Sequence, residues 1–142
     1  MKEFGIQFGG EEKMFDWKKP TAQMLGRWQP WHDGHTALFK KALAKTGQVV
    51  IMIRDVCGVD AGMGNNDNPF DYRTVKRNIE LGLNEHGYTL GEEYEILSVP
   101  NIVDISYGRG VGYTFTEHDL GEEIHNISAT QIRAKLRAEG KL

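Results

Sequence analysis

Two histidines three residues apart, His32 and His35, carry the clearest chemistry in this chain. They stand in the run Gly26-Arg27-Trp28-Gln29-Pro30-Trp31-His32-Asp33-Gly34-His35. A short apolar segment, Ala22-Gln23-Met24-Leu25, leads into that run, and a helical pattern from Thr36 to Lys45 leads out of it. A turn between a strand and a helix N-terminus gathers unpaired N–H groups and the positive end of the helix dipole at one spot, which makes an anion site. Gly34 leaves room for a phosphate to approach the backbone, and the two imidazoles bracket it. The pattern points to phosphoryl chemistry.

Three other readings of the same residues compete. Two histidines can share a metal, but no local cysteine pair or third histidine completes a set, and His118 and His125 are distant in sequence. The run can be an ordinary capping turn. The His-Asp pair also occurs in metal-dependent phosphohydrolases, where it sits in a helical array with further ligands; here Gln29-Pro30 precede it and Gly34 follows.

The elements that must hold this turn are legible as periodicities. Ala22–Leu25 reads as a short buried strand. In the helix that follows, Leu38, Phe39, Ala42 and Leu43 form one stripe, Lys40, Lys41 and Lys45 face water, and Gly47 stops it. Gln48–Ile53 reads as a central parallel strand, β-branched and almost wholly apolar. The stretch Cys57 to Asn68 is rich in Gly, Asn and Asp and reads as a mobile loop, expected to close over substrate. Asn68-Pro69-Phe70-Asp71 starts a second helix with Tyr72, Val75, Ile79 and Leu83 at core spacing, and Tyr94–Val99 is a third strand ended by Pro100. Val103, Ile105 and Tyr107 alternate, as do Val111, Tyr113 and Phe115, which predicts one or two more strands in 101–116. A last helix opens at Ile127-Ser128-Ala129-Thr130 with Ser128 as N-cap and runs to about Ala138, turning Ile132 and Leu136 inward. Residues 1–21 read as an N-terminal arm anchored by Phe4, Ile6, Phe8, Phe15 and Trp17, and residues 22–142 as one domain.

This order predicts an α/β fold: a Rossmann-like three-layer sandwich with a mainly parallel sheet. Ligands in such sheets bind outside the carboxyl ends of the strands. The histidine turn lies at the carboxyl end of the first strand, so motif and fold rule name the same place.

Composition narrows the class. With 142 residues the chain is most simply one domain with one core. A net charge of −3 argues against a general nucleic-acid binder. Seventeen glycines, about 12% against roughly 7% on average, point to functional loops. The single cysteine, Cys57, excludes an internal disulfide framework and fits a reducing compartment. No run of 18 apolar residues and no signal segment is present, so a cytoplasmic protein that meets no membrane is expected.

A second constellation stands near the end of the chain. Ser128 and Thr130 offer hydroxyls beside the free N–H groups of a helix start, and Arg133 lies one turn further in, able to reach an anion there. Its plain alternative is an N-cap with a surface arginine. Arg54 ends the second strand at the ligand edge, where it can hold a phosphate or pair with Asp55. Arg73 and Arg77 lie one turn apart on the second helix. The run Gly108-Arg109-Gly110-Val111-Gly112 lacks the spacing of a dinucleotide loop and reads as a turn with Arg109 at its mouth. No Walker-type Gly-Lys-Ser/Thr exists. Trp28 and Trp31 can stack on a base or pack in the core.

The two constellations together resemble the cytidylyltransferase-like nucleotidyltransferases, whose signature is His-x-Gly-His after the first strand and Ile-Ser-x-Thr-x-Ile-Arg at a late helix start. Here these are His32-Asp33-Gly34-His35 and Ile127-Ser128-Ala129-Thr130-Gln131-Ile132-Arg133. The resemblance covers residues 22–138. It implies transfer of a nucleoside monophosphate from a nucleoside triphosphate to a phosphorylated small molecule, with release of pyrophosphate. His32, His35 and Arg133 would act in catalysis. Gly26, Arg27, Gln29, Gly34, Ser128 and Thr130 would bind the nucleotide, and Trp31, Arg54, Arg73 and Arg109 the substrate. Mg²⁺ would arrive on the triphosphate, with no protein ligand for it. The Gly-Arg-x-Gln-Pro-x-His-x-Gly-His form leans towards ATP, with CTP open, and many relatives are homo-oligomers. A module that only senses a nucleotide, or a metal-dependent phosphohydrolase, is the alternative from another class.

Overall fold

The computed structural model describes residues 14–56, 68–109, 112–121 and 129–141. Their elements are β1 (Ala22–Gly26), α1 (Asp33–Thr46), β2 (Val49–Arg54), α2 (Tyr72–Asn84), β3 (Tyr94–Val99) and α3 (Ala129–Ala138). The strands form an all-parallel sheet in the order β1-β2-β3, with Ala22 opposite Val49 and Val49 opposite Tyr94. Parallel neighbours need a crossover, and α1 and α2 supply the two. The chain is therefore an α/β protein.

The period of two decides which face of the sheet is covered. Met24, Val49, Ile51, Ile53, Tyr94 and Ile96 are buried, and they share one core with Phe39 and Ala42 of α1 and Val75, Ile79 and Leu83 of α2. The residues between them, Val50, Met52, Arg54, Glu95 and Leu97, are only half-buried. Helix α1 has the expected stripe, with Phe39 and Ala42 buried, Leu38 and Leu43 packed beside them, and Lys40, Lys41 and Lys45 exposed. It ends where expected. Gly47 takes the left-handed conformation (φ 87°) that glycine adopts without penalty, and its N–H reaches Leu43 O at 2.7 Å. Helix α2 opens on Asp71, whose carboxylate accepts from the Thr74 N–H at 2.9 Å. Hydrogen bonds from the Thr74 hydroxyl and then from its N–H hold the Asp71 carboxyl below its usual range.

Helix α2 buries Val75, Ile79 and Leu83 but leaves Tyr72, expected beside them, exposed at its first turn. Three further expectations need correction. First, α1 starts at Asp33 rather than Thr36, because His32 caps it. His35 thus lies in the first helical turn. Second, no strand forms among the described residues of 101–121, and Val103, Ile105, Tyr107, Tyr113 and Phe115 stay exposed. Alternation selects a face but supplies no ladder partner, and none of these residues pairs with the sheet. Third, Trp17 anchors nothing in the core. It is 69% exposed, with its ring set edge-to-face against Phe15. The arm is held by Gln48 instead. The Gln48 amide donates to Asp16 O (2.7 Å) and Thr21 Oγ1 (2.6 Å) and accepts from the Asp16 N–H (3.1 Å). Phe4, Ile6, Phe8, Cys57, the 57–67 part of the loop, Val111, His125, Ile127 and Ser128 lie outside the described residues.

Candidate functional site

The turn from Arg27 to His32 joins the carboxyl end of β1 to the N-terminus of α1. Trp28 sits there with φ 53°, a left-handed conformation that costs an ordinary residue about 1 kcal/mol. Several contacts repay it. The Trp28 indole N–H donates to Met52 O at 3.1 Å, its ring lies over Gly26, and its edge meets His35 at 4.8 Å. A Cβ on Gly26 would fall 2.8 Å from the Trp28 ring, so the end of β1 must be glycine for the indole to fold back. Trp31 is buried beside it, with its indole N–H on Thr36 Oγ1 at 2.8 Å. The Gln29–Pro30 peptide is cis.

The two histidines cap the helix reciprocally. His32 Nδ1 accepts from the Gly34 N–H at 3.1 Å, and His35 Nδ1 accepts from the His32 N–H at 3.1 Å. An imidazole that accepts at Nδ1 carries its proton at Nε2 when neutral. The backbone therefore fixes both tautomers and leaves both Nε2–H groups as donors. The rings stack with centroids 3.6 Å apart and planes 19° from parallel.

Burial keeps this pair neutral. Loss of hydration, with the neighbouring His32 acting in the same direction, lowers the His35 pKa to about 3. Loss of hydration lowers His32 too, against the opposing pull of Asp33. At neutral pH the helix N-terminus thus carries two uncharged, oriented N–H donors on top of its own amide groups. Such an array suits negative charge that builds up during a reaction, because the donors need not reorient.

Other residues named from the sequence arrive at the same turn. Arg133 of α3 is 3% exposed. Its Nη1 donates to Gln29 O at 2.7 Å and its Nη2 to Thr130 Oγ1 at 3.3 Å. Arg27 donates to Asn68 Oδ1 at 3.0 Å. Gly26 faces Ile53 in the sheet, so Arg27 and Arg54 leave adjacent strand ends together. The Arg54 Nε is buried with no hydrogen-bond partner among the described residues. Gln29 is buried, and its amide is spent on Phe70. Gly34 is buried in the first turn of α1.

Two candidates lie elsewhere or apart. Arg73 is exposed in the first turn of α2. Arg109 is exposed and lines a groove beside β1 with Tyr107 and Phe115, which Trp28 also lines and neither histidine does. No three His, Cys, Asp or Glu side chains converge among the described residues. No helix among them is long and apolar enough to cross a membrane.

Sequence reasoning missed Thr36, Asn68 and Phe70 as supports of the turn. Asn68-Pro69-Phe70-Asp71 showed a helix start but not what it would touch. Known protein families and curated proteins were both compared with the chain, and none matches.

Proposed function

We propose that this chain is a nucleotidyltransferase of the cytidylyltransferase-like kind. The observation that carries the reading is the reciprocal histidine cap, which aims two neutral Nε2–H donors from a helix N-terminus. A phosphate oxygen of the acceptor attacks the α-phosphorus of a nucleoside triphosphate in line. The new P–O bond forms as the bond to the β-phosphate oxygen breaks, and pyrophosphate leaves with that electron pair. No covalent enzyme intermediate is needed, because the acceptor phosphate is already a nucleophile. His35 and His32 stabilise the charge on the pentacoordinate centre and leaving group, and Gly34 lets the phosphate approach the helix start.

Thr130, Arg133 and Ser128 hold the β- and γ-phosphates. Arg133 adds charge beside the turn while its Nη1 steadies Gln29 O. The buried Nε of Arg54, without a partner among the described residues, supports an anion beyond β2, the acceptor phosphate in this reading. Mg²⁺ comes with the triphosphate and neutralises part of its charge. ATP is the favoured donor, on the form of the histidine run. A third layer over the half-buried face of the sheet, making a Rossmann-like sandwich, belongs to the same proposal, as does a cytoplasmic location.

The test is pyrophosphate release from ATP and CTP with Mg²⁺ and a panel of phosphorylated acceptors. His35→Asn is the informative variant, because the Asn oxygen can replace Nδ1 in the cap while nothing replaces the Nε2–H. Turnover should fall by roughly 10²–10³ while the fold persists. Near-normal turnover in His35→Asn would overturn the assignment of the histidines.

A further inference from the structure

The side chain of Gln29 makes a complete two-point contact with the backbone of one residue. Its Nε2 donates to Phe70 O at 3.0 Å, and its Oε1 accepts from the Phe70 N–H at 2.9 Å. A primary amide is the side-chain group that can satisfy both halves of a residue's backbone in this way. The contact spans 41 positions and joins the histidine turn to the segment that enters α2. A second bond runs in parallel two residues earlier, from Arg27 to Asn68. Gln29 and Asn68 are 5% and 4% exposed, so neither amide is turned towards solvent or a ligand. The Gln29 carbonyl is taken as well, by Arg133. Trp31 closes the same seam from the other side, its ring lying 3.0 Å from where a Cβ on Gly82 of α2 would stand.

We propose that Gln29 is a positioning residue: it seats the entry of α2 on the histidine turn, and it does not touch the nucleotide. What it positions rests on the nucleotidyl-transfer reading, namely His32 and His35 at one helix start and Arg73 at the other. Both side-chain polar atoms of Gln29 and its carbonyl oxygen are hydrogen-bonded, and such networks fix a geometry because a half-satisfied one is costly. Removing the amide frees Phe70 from the turn, while Arg27 still holds Asn68, and it removes no group that meets the substrate in this reading.

The experiment compares the wild type with Gln29→Ala, Gln29→Glu and His35→Asn. Amide hydrogen exchange is followed residue by residue in the ligand-free protein, with the Ile51 and Ile53 amides as the check that the sheet is intact. In Gln29→Ala the Phe70 N–H should exchange about tenfold faster, having lost its acceptor. Gln29→Glu keeps that acceptor but sets its second oxygen against Phe70 O, where the Nε2 donor stood, so it should recover part of the protection and no more; it also covers the case that the alanine variant fails to fold, since full protection without the donor would overturn the two-point contact. In His35→Asn the Phe70 rate should not change. Pyrophosphate release then separates positioning from contact: kcat should fall about tenfold or more in Gln29→Ala, with KM for Mg-ATP within about twofold. A raised KM with Phe70 exchange unchanged would overturn the proposal and return Gln29 to the nucleotide. A wild type that releases no pyrophosphate from any triphosphate would sink the nucleotidyl-transfer reading alone, because Phe70 exchange in the ligand-free protein still decides what Gln29 holds.

Discussion

Acidification should destabilise this protein through His35 in particular. Its folded pKa is about 3, against an ordinary value of 6.5. Above pH 6.5 the imidazole is neutral in both folded and unfolded chains, and pH has no effect through it. Below pH 6.5 the unfolded chain takes up the proton first, so stability falls with pH and stops falling only near pH 3. At pH 5 the unfolded imidazole has been titrated over 1.5 pH units while the folded one remains neutral. At about 1.36 kcal/mol per unit, the loss from pH 8 to pH 5 is about 2 kcal/mol. His32, lowered in the same direction, adds to it. The cause is specific: protonation at Nδ1 would also remove the acceptor of the His32 N–H. The assay is urea unfolding of wild type and His35→Asn at pH 8 and pH 5. Taking the difference between variants cancels carboxylates such as Asp71. The wild type should lose about 2 kcal/mol more than the variant, roughly 6–8 °C in Tm for a domain of this size. Equal losses in the two proteins would refute the claim that His35 is held neutral by its burial.

Two further outcomes follow from packing. Gly26→Ala should destabilise by about 1–3 kcal/mol, because the added methyl meets three atoms of a ring fixed by its bond to Met52 O; denaturant unfolding checks it, and a neutral result would mean the Trp28 ring can move aside. Gln48→Ala should cost about 1–3 kcal/mol by leaving the Asp16 backbone unsatisfied, and limited proteolysis should then cut between Asp16 and Pro20 before any site within the sheet.

The sheet and its two crossover helices were legible because their signals are local. Val49–Arg54 alternates buried and half-buried along its whole length, and Phe39 and Ala42 lie on one stripe. The histidine site was legible for the same reason: cap, dipole and donors all fall within four residues. Two things were not. The first turn of α1 was assigned too late, since histidine is not an ordinary N-cap and the sequence does not announce a reciprocal pair. Asn68 and Phe70 were invisible as supports because their partners, Arg27 and Gln29, lie 41 positions away, and Thr36 because nothing in its spacing from Trp31 announces that the indole N–H will fold onto it. The alternation in 101–116 misled for a related reason. It describes a surface suited to a sheet, and pairing depends on a neighbour that the segment itself does not encode.

The bond from Arg133 to Gln29 O spans 104 positions, whereas the histidine cap spans three. The donors and their socket therefore belong to different stages in the life of the chain. A nascent polypeptide can wind the first turn of α1 and fix both imidazole tautomers as soon as that short segment forms. The carbonyl behind them stays bare until α3 docks, and closing so long a loop is entropically slow. The orientation of the two imidazoles is thus encoded locally, whereas the support behind the turn waits on the last helix.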